Sequence, residues 1–323
     1  MNNFNYHNYI EELSQKNTII ILTGNLTGGS YKWIKDLNIL DKNNVHLVRK
    51  KNKLINILNN THNNLFIILQ SLLDTNIAVT DIFELEDKFK FKIILPIHDW
   101  YWINPPYTKN NIKNIHSAYL NLNKDNVQKI TDKLFNKAYK IICPSLFVFN
   151  IIKKLFPNLN NIYLSNWVDI NETEKIENNT LLNNTINIGV LTGLSKCKGE
   201  ESIKFLRRHI KHYNGYKIAY FIVGYTIEKY EDNYQSFLNI ITKYNINGLL
   251  FLNKFGETWC YSLTKGLNSE LPIFYNNIGS FKERVPKDDE KYIININDES
   301  EYIDFGKLRI NFENFLKYII EKY

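Results

Sequence analysis

Only three cysteines and one methionine occur among 323 residues, and no stretch reaches the length of a membrane span. Cys143, Cys197 and Cys260 lie far apart, and their odd number argues against a disulfide scaffold. No pair of them has the spacing of zinc ligands, so a reducing cytoplasm is the expected setting. A transmembrane helix needs roughly 18 or more apolar residues in a row, and none is expected here. The first residues, Met-Asn-Asn-Phe-Asn-Tyr-His, lack a basic region followed by an apolar run, so no signal peptide is expected. Also absent are a Ser-His-Asp elbow, G-x-S-x-G and any metal signature. Alanine and arginine are scarce while Asn, Ile and Lys are over-used, a bias that fits an A/T-rich genome better than a function. Asn-rich patches such as Asn158 to Asn161 then mean loops, not a prion-like segment.

What is present is an ordinary globular composition, 44% apolar and 23% charged, with a formal net charge of +7. The lysines are scattered among Asn and apolar positions and form no nucleic-acid footprint, so no nucleic-acid partner is expected. The same charge fits attraction to an anionic small ligand or peripheral contact with a membrane surface. The length suits two domains of ordinary size.

Short apolar runs recur without period-two alternation. They are Thr18 to Leu22, Leu65 to Leu69, Lys92 to Pro96, Lys140 to Cys143 and Asn161 to Leu164. After a polar gap follow Ile186 to Leu191, Ile218 to Val223, Leu249 to Leu252, Ile273 to Tyr275 and Tyr292 to Ile294. Such runs predict parallel strands buried on both faces. Helical spacing is read over Val127 to Tyr139, Glu200 to His212 and Asn233 to Tyr244, giving alternating α/β layers. The segment from about Ile170 to Thr185 is polar and reads as a linker between two Rossmann-like domains. Leu308, Phe312, Phe315, Leu316 and Ile319 give the tail, 305–323, one apolar face of a helix.

Several loops carry chemistry. Gly28-Gly29-Ser30 follows the first strand, where glycines let backbone N–H groups approach an anion at a helix start; a plain tight turn explains it equally. The spacing is not that of a dinucleotide fingerprint. His98-Asp99-Trp100 follows a strand end, where α/β proteins bind ligands, or else forms a capping turn with core aromatics. Gly193-Leu-Ser-Lys-Cys-Lys-Gly199 offers Lys196 and Lys198 at a helix start, a cradle for a diphosphate or a solvated turn. It is not a P-loop. His209 and His212 lie at i, i+3 on a basic helix, with no acid or cysteine to complete a metal site. The most informative segment runs from Glu257 to Pro272: an acid-headed short helix between two apolar runs, placed to grip a polar ligand.

Taken in order, these segments resemble two-domain glycosyltransferases of the GT-B fold, similar to the retaining family-4 enzymes. Gly28-Gly29 is similar to the N-terminal glycine loop of that family, and His98-Asp99 to its His loop. Ile142-Cys-Pro-Ser145 and Asn166-Trp-Val-Asp169 resemble the segments before its hinge. Gly193 to Gly199 resembles the G-x(4)-K-G loop, Glu257 to Pro272 the E-x7-E helix, and Gly279 to Glu283 the following G-G-x-x-E.

The resemblance implies two Rossmann-like domains facing each other across a cleft. An acceptor domain would span 1–170, a linker 171–185 and a nucleotide-sugar domain 186–304, with a helix over 305–323 crossing back to the first domain. It implies transfer of a sugar from a nucleotide-sugar donor to a glycan, lipid or protein acceptor, with retention of configuration. Lys198 would neutralise the leaving diphosphate, Glu257 would hold sugar hydroxyls, and His98 would contact that sugar. Donor-binding positions would be Gly28, Gly29, Asp99, Gly193, Ser195, Lys196, Thr258, Trp259, Cys260 and Lys265. No metal or other cofactor is expected. Three positions depart from the pattern. The second Glu of E-x7-E is Lys265, which has donors only. The glycine before Leu-Pro is Glu270, and the Arg after the first loop glycine is Leu194. They motivate an alternative, a non-catalytic scaffold of the same fold that binds nucleotide, glycan or a partner enzyme. A sugar-nucleotide epimerase is disfavoured because no acid–base set is evident.

Overall fold

The computed structural model describes residues 4–24, 28–72, 75–102, 124–167, 180–229, 231, 233–296 and 303–323. The chain divides into two compact units, Met1–Val168 and Asp169–Tyr323.

In the first unit six strands alternate with helices. The strands are β1 (Thr18–Leu22), β2 (Val45–Val48), β3 (Leu65–Leu69), β4 (Lys92–Pro96), β5 (Ala138–Cys143) and β6 (Ile162–Leu164). The helices are α1 (Tyr6–Lys16), α2 (Gly28–Asp36), α3 (Lys51–Asn60), α4 (Val79–Phe89), α5 (Lys124–Lys137) and α6 (Leu146–Leu155). All neighbouring strands are parallel, in the order β2-β1-β3-β4-β5-β6. Every residue of β1 and β3 is buried, as continuous Ile/Leu runs require when helices cover both faces. The helix predicted to reach Tyr139 stops at Lys137, because the chain enters β5 at Ala138.

The second unit holds β7 (Thr185–Val190), α7 (Glu200–His209), β8 (His212–Tyr213), β9 (Tyr216–Ile222) and α8 (Tyr234–Lys243). There follow β10 (Gly248–Phe251), α9 (Tyr261–Asn268), β11 (Ile273–Asn276), α10 (Phe281–Arg284), β12 (Tyr292–Ile296) and α11 (Phe305–Lys322). The sheet runs β12-β11-β10-β7-β9-β8, parallel except for β8, which pairs antiparallel with β9. The predicted helix to His212 therefore ends early: His209 closes α7 while His212 stands in β8, so the two histidines do not share a helix face.

Alternate strand residues face opposite layers. Leu250 and Phe274 join Leu206 of α7 and Phe312 and Phe315 of α11 in one core. Leu249, Phe251, Ile273 and Tyr275 join Phe237 of α8 and Leu263 of α9 in the other. All five apolar residues expected on the tail helix are buried, and they make α11 a layer of the second unit. Burying such side chains contributes about 1.5–3 kcal/mol each, which fixes the helix on the sheet.

Strand order locates the natural ligand crevice. From β7 the chain crosses to β9 on one side, and from β10 it crosses to β11 on the other. Connections that leave in opposite directions open a gap at the carboxyl ends of the two strands between them. In the second sheet that gap lies between β7 and β10. Among the described residues, no helix is long and apolar enough to cross a membrane.

Candidate functional site

Two loops meet at the β7/β10 gap. The first, after β7, ends in a 3₁₀ turn over Lys196–Lys198, capped by the Ser195 hydroxyl, which accepts from the Lys198 N–H at 3.3 Å. Gly199 then turns the chain into α7 with φ +79°, and a Cβ there would stand 1.9 Å from the Leu252 carbonyl oxygen. Only glycine lets the two loops approach so closely. A hydrogen bond from Lys254 N–H to the Cys197 carbonyl, 2.9 Å, ties them together.

The second loop leads from β10 to α9. Glu257 lies in this loop, not on the helix: α9 begins four residues later at Tyr261. The expected acid-headed helix is thus an acid-bearing turn followed by a shorter helix. Cys260 interrupts the two by adopting φ +73° and ψ 86°, a conformation that cannot continue a right-handed helix.

Lys198 and Glu257, 59 residues apart, are brought together at this gap. The Lys198 ammonium donates to Glu257 Oε1, and the two side chains keep 29% and 22% exposure. Burial disfavours the charged ammonium, but the Glu257 carboxylate outweighs it and holds Lys198 above the ordinary lysine range. Lys198 therefore carries its charge throughout the neutral range. Asn253 Nδ2 also donates to Glu257 Oε1, at 2.6 Å.

The turn carrying Glu257 is braced from behind. Gly279, φ +61°, approaches so closely that a Cβ would stand 2.4 Å from Gly256 Cα. The Ser280 N–H donates to the Glu257 carbonyl at 3.0 Å, and the Ser280 hydroxyl to the Trp259 carbonyl at 3.0 Å. Arg284 stacks on the Trp259 ring at 3.7 Å and donates to the carbonyls of Trp259 and Cys260 and to the Thr264 hydroxyl. The strained Cys260 is held by that guanidinium. Burial first of all raises the Cys260 thiol to about 11, against the opposing pull of Lys198, so it is a neutral thiol rather than a nucleophile at neutral pH.

The other expected positions distribute as follows. Gly193 turns at φ +73°, and Ser195 and Lys196 are exposed on the same loop. Thr258 and Trp259 are buried. Lys265 is a buried residue of α9, 6% exposed, and Glu270 has φ +59°, so the position where the family pattern has glycine does adopt the left-handed conformation. Gly28 and Gly29 open α2 in the first unit; the residues just before them lie outside the described ones. Asp99 is exposed, while His98 packs its ring against Trp33 and Trp167, at 4.5 and 4.9 Å between ring centroids. Tyr6 stacks on Trp33 at 5.3 Å and also meets Trp167 at 6.1 Å. Burial lowers the His98 imidazole to about 3.

Asn253 and Arg284 escape a reading by motif, and Ser280, inside the Gly279 to Glu283 segment, is given no role by it. Asn253 had a signal: like Asn276 and Asn295, it is a polar residue closing an apolar strand run at its carboxyl end. Against the same loops lies a shallow open pocket lined by Lys196, Gly199, Ser202, Lys254, Asn276 and Asn295. Lys198 and Glu257 do not line it.

No protein-family model matches the chain, and no curated protein matches it in sequence. Solved structures do match in three dimensions. Anabaena Alr3699/HepE, crystallised in complex with UDP-glucose, superposes with a TM-score of 0.55 at 10% identity, covering 94% of this chain and 92% of that one. The pneumococcal O-GlcNAc transferase GtfA, in complex with UDP and GlcNAc, gives 0.53 at 12% identity over 83% of this chain and 53% of its own. Likeness at such low identity is likeness of fold: the chain has the GT-B type of architecture, built from two Rossmann-like α/β units.

Proposed function

We propose that this chain is a glycosyltransferase that moves a sugar from a nucleoside-diphosphate sugar to an acceptor. The observation that carries the reading is the Lys198–Glu257 pair at the β7/β10 gap. It stands in a fold shared with proteins crystallised with UDP-glucose or with UDP and GlcNAc. In sugar transfer the anomeric bond to the diphosphate breaks and negative charge grows on the leaving phosphate oxygen. Lys198, held charged by its partner, is the group that meets that charge. Glu257 Oε1 receives both protein donors, which leaves Oε2 to accept a hydroxyl of the transferred sugar. Catalysis is then positioning plus charge stabilisation, with no metal required. Retention of configuration belongs to the same proposal.

His98 is part of the proposal as a sugar contact made by a neutral imidazole, because its enclosed ring stays uncharged above about pH 3. The remaining expected donor positions, Gly28, Gly29, Asp99, Gly193, Ser195, Lys196, Thr258, Trp259, Cys260 and Lys265, are carried with it. A panel of nucleotide sugars read by thermal shift and by released nucleoside diphosphate tests the reading. At least one donor should both stabilise the protein and be turned over. Stabilisation without turnover, across acceptors and in buffer alone, would instead support the scaffold reading, which buried Lys265 and left-handed Glu270 motivate.

A further inference from the structure

We infer that Asn253 is a positioning residue for Glu257, fixing which carboxylate oxygen is offered to the sugar. The inference rests on the proposed function and deepens it. A carboxylate only accepts, so the Asn253 side chain must turn its NH₂ toward Glu257. It donates to Oε1 at 2.6 Å, the oxygen that also receives Lys198. Two donors on one oxygen make the carboxylate asymmetric, and Oε2 receives no donor among the described residues.

The amide is itself anchored. Asn253 is 1% exposed, and its backbone carbonyl accepts from Asn276 Nδ2 at 2.9 Å. Asn276 Oδ1 accepts from Asn295 Nδ2 at 2.8 Å, and the Asn295 carbonyl accepts from Asn311 Nδ2 at 2.8 Å. Four asparagines thus link the carboxyl ends of β10, β11 and β12 to α11. Packing alone does not account for an amide at Asn253. Its Oδ1 is buried without a hydrogen-bond partner among the described residues, and an unpaired buried acceptor is destabilising. A side chain of similar shape and no polarity would suit the fold better, whereas the N–H given to Glu257 accounts for the amide.

The test is calorimetric binding of UDP, UDP-glucose and UDP-N-acetylglucosamine to the wild-type chain, Asn253→Leu and Asn253→Ser. Leucine keeps the shape and removes both the donor and the unpaired acceptor. The wild type should bind one of the sugar nucleotides more tightly than UDP. In both variants that advantage should shrink by about tenfold, as expected for a lost hydrogen bond to a charged group, while UDP affinity stays within about twofold. Should Asn253→Leu fail to fold, Asn253→Ser carries the same comparison. An undiminished sugar advantage in the variants overturns the inference and leaves the proposed function standing. Equal weakening of UDP and sugar nucleotide also overturns it, since that is a scaffold defect. A wild-type chain that prefers no sugar nucleotide over UDP overturns this inference, while the proposed function is judged separately by turnover across the nucleotide-sugar panel.

Discussion

At the scale of single residues, environment decides chemistry more than residue type does. Lys198 and Lys265 are both lysines of the second unit, yet one shares a carboxylate at a strand gap and the other is sequestered in α9. If the chain is a transferase adapted to lysine at 265, Lys265→Glu lowers turnover of its donor; a gain in turnover would reveal a decayed enzyme. His98 makes a different prediction. Burial lowers its folded pKa to about 3, below the ordinary 6.5 of an exposed imidazole. Between these values the unfolded chain binds the proton and the folded one does not, so stability falls as pH drops from about 6.5 toward 3. Above that window the contribution is complete. Melting temperatures measured across it should decline with acid in the wild type and decline less steeply in His98→Asn.

At the scale of elements, turn geometry is what a sequence reading misses. Each of the ten apolar runs coincides with a strand, because a continuous Ile/Leu run has few ways to satisfy burial on both faces. Helix limits were less legible. Tyr139 and His212 keep helical spacing on paper but enter β5 and β8, where strand pairing wins over local preference. The largest difference is at Glu257, which a motif places at a helix start and the structure places in a turn. No local rule announces a positive φ at Cys260; its carbonyl is held by Arg284, 24 residues on, while Gly279 and Ser280 brace the preceding Gly256 and Glu257. Removing that brace should therefore be costly. Arg284→Ala removes one of the donors to each of the Trp259 and Cys260 carbonyls, the bond to Thr264 and the stacking on Trp259, and should lower stability by about 1–3 kcal/mol in denaturant unfolding. Arg284→Lys should recover only part, since an ammonium cannot reproduce the guanidinium fork. Equal stability of Arg284→Ala and wild type would show that the turn is held by other contacts.

At the scale of the whole molecule, two Rossmann-like units make a cysteine framework unnecessary: each has its own layered core, and Cys143, Cys197 and Cys260 are all free thiols. The fold class was readable from the order of strands and loops, although no family model matches the chain and the structural relatives share only 10% and 12% of its residues. Burial patterns survive such divergence, whereas the partners of Glu257 come from loops 4 and 59 residues away in sequence and only folding reveals them. If Lys198 supplies the charge that a metal would otherwise supply, donor turnover should persist in excess EDTA, and a chelator-abolished, magnesium-restored rate would contradict that part of the mechanism. The central claim, that the Lys198–Glu257 pair drives sugar transfer, is tested most directly by the rate of nucleoside diphosphate release from the preferred nucleotide sugar in the wild type and in Lys198→Ala. The wild-type rate should be measurable and should fall about 100- to 1,000-fold in the variant, the cost of removing one transition-state charge stabiliser. An unchanged rate in Lys198→Ala would contradict the claim.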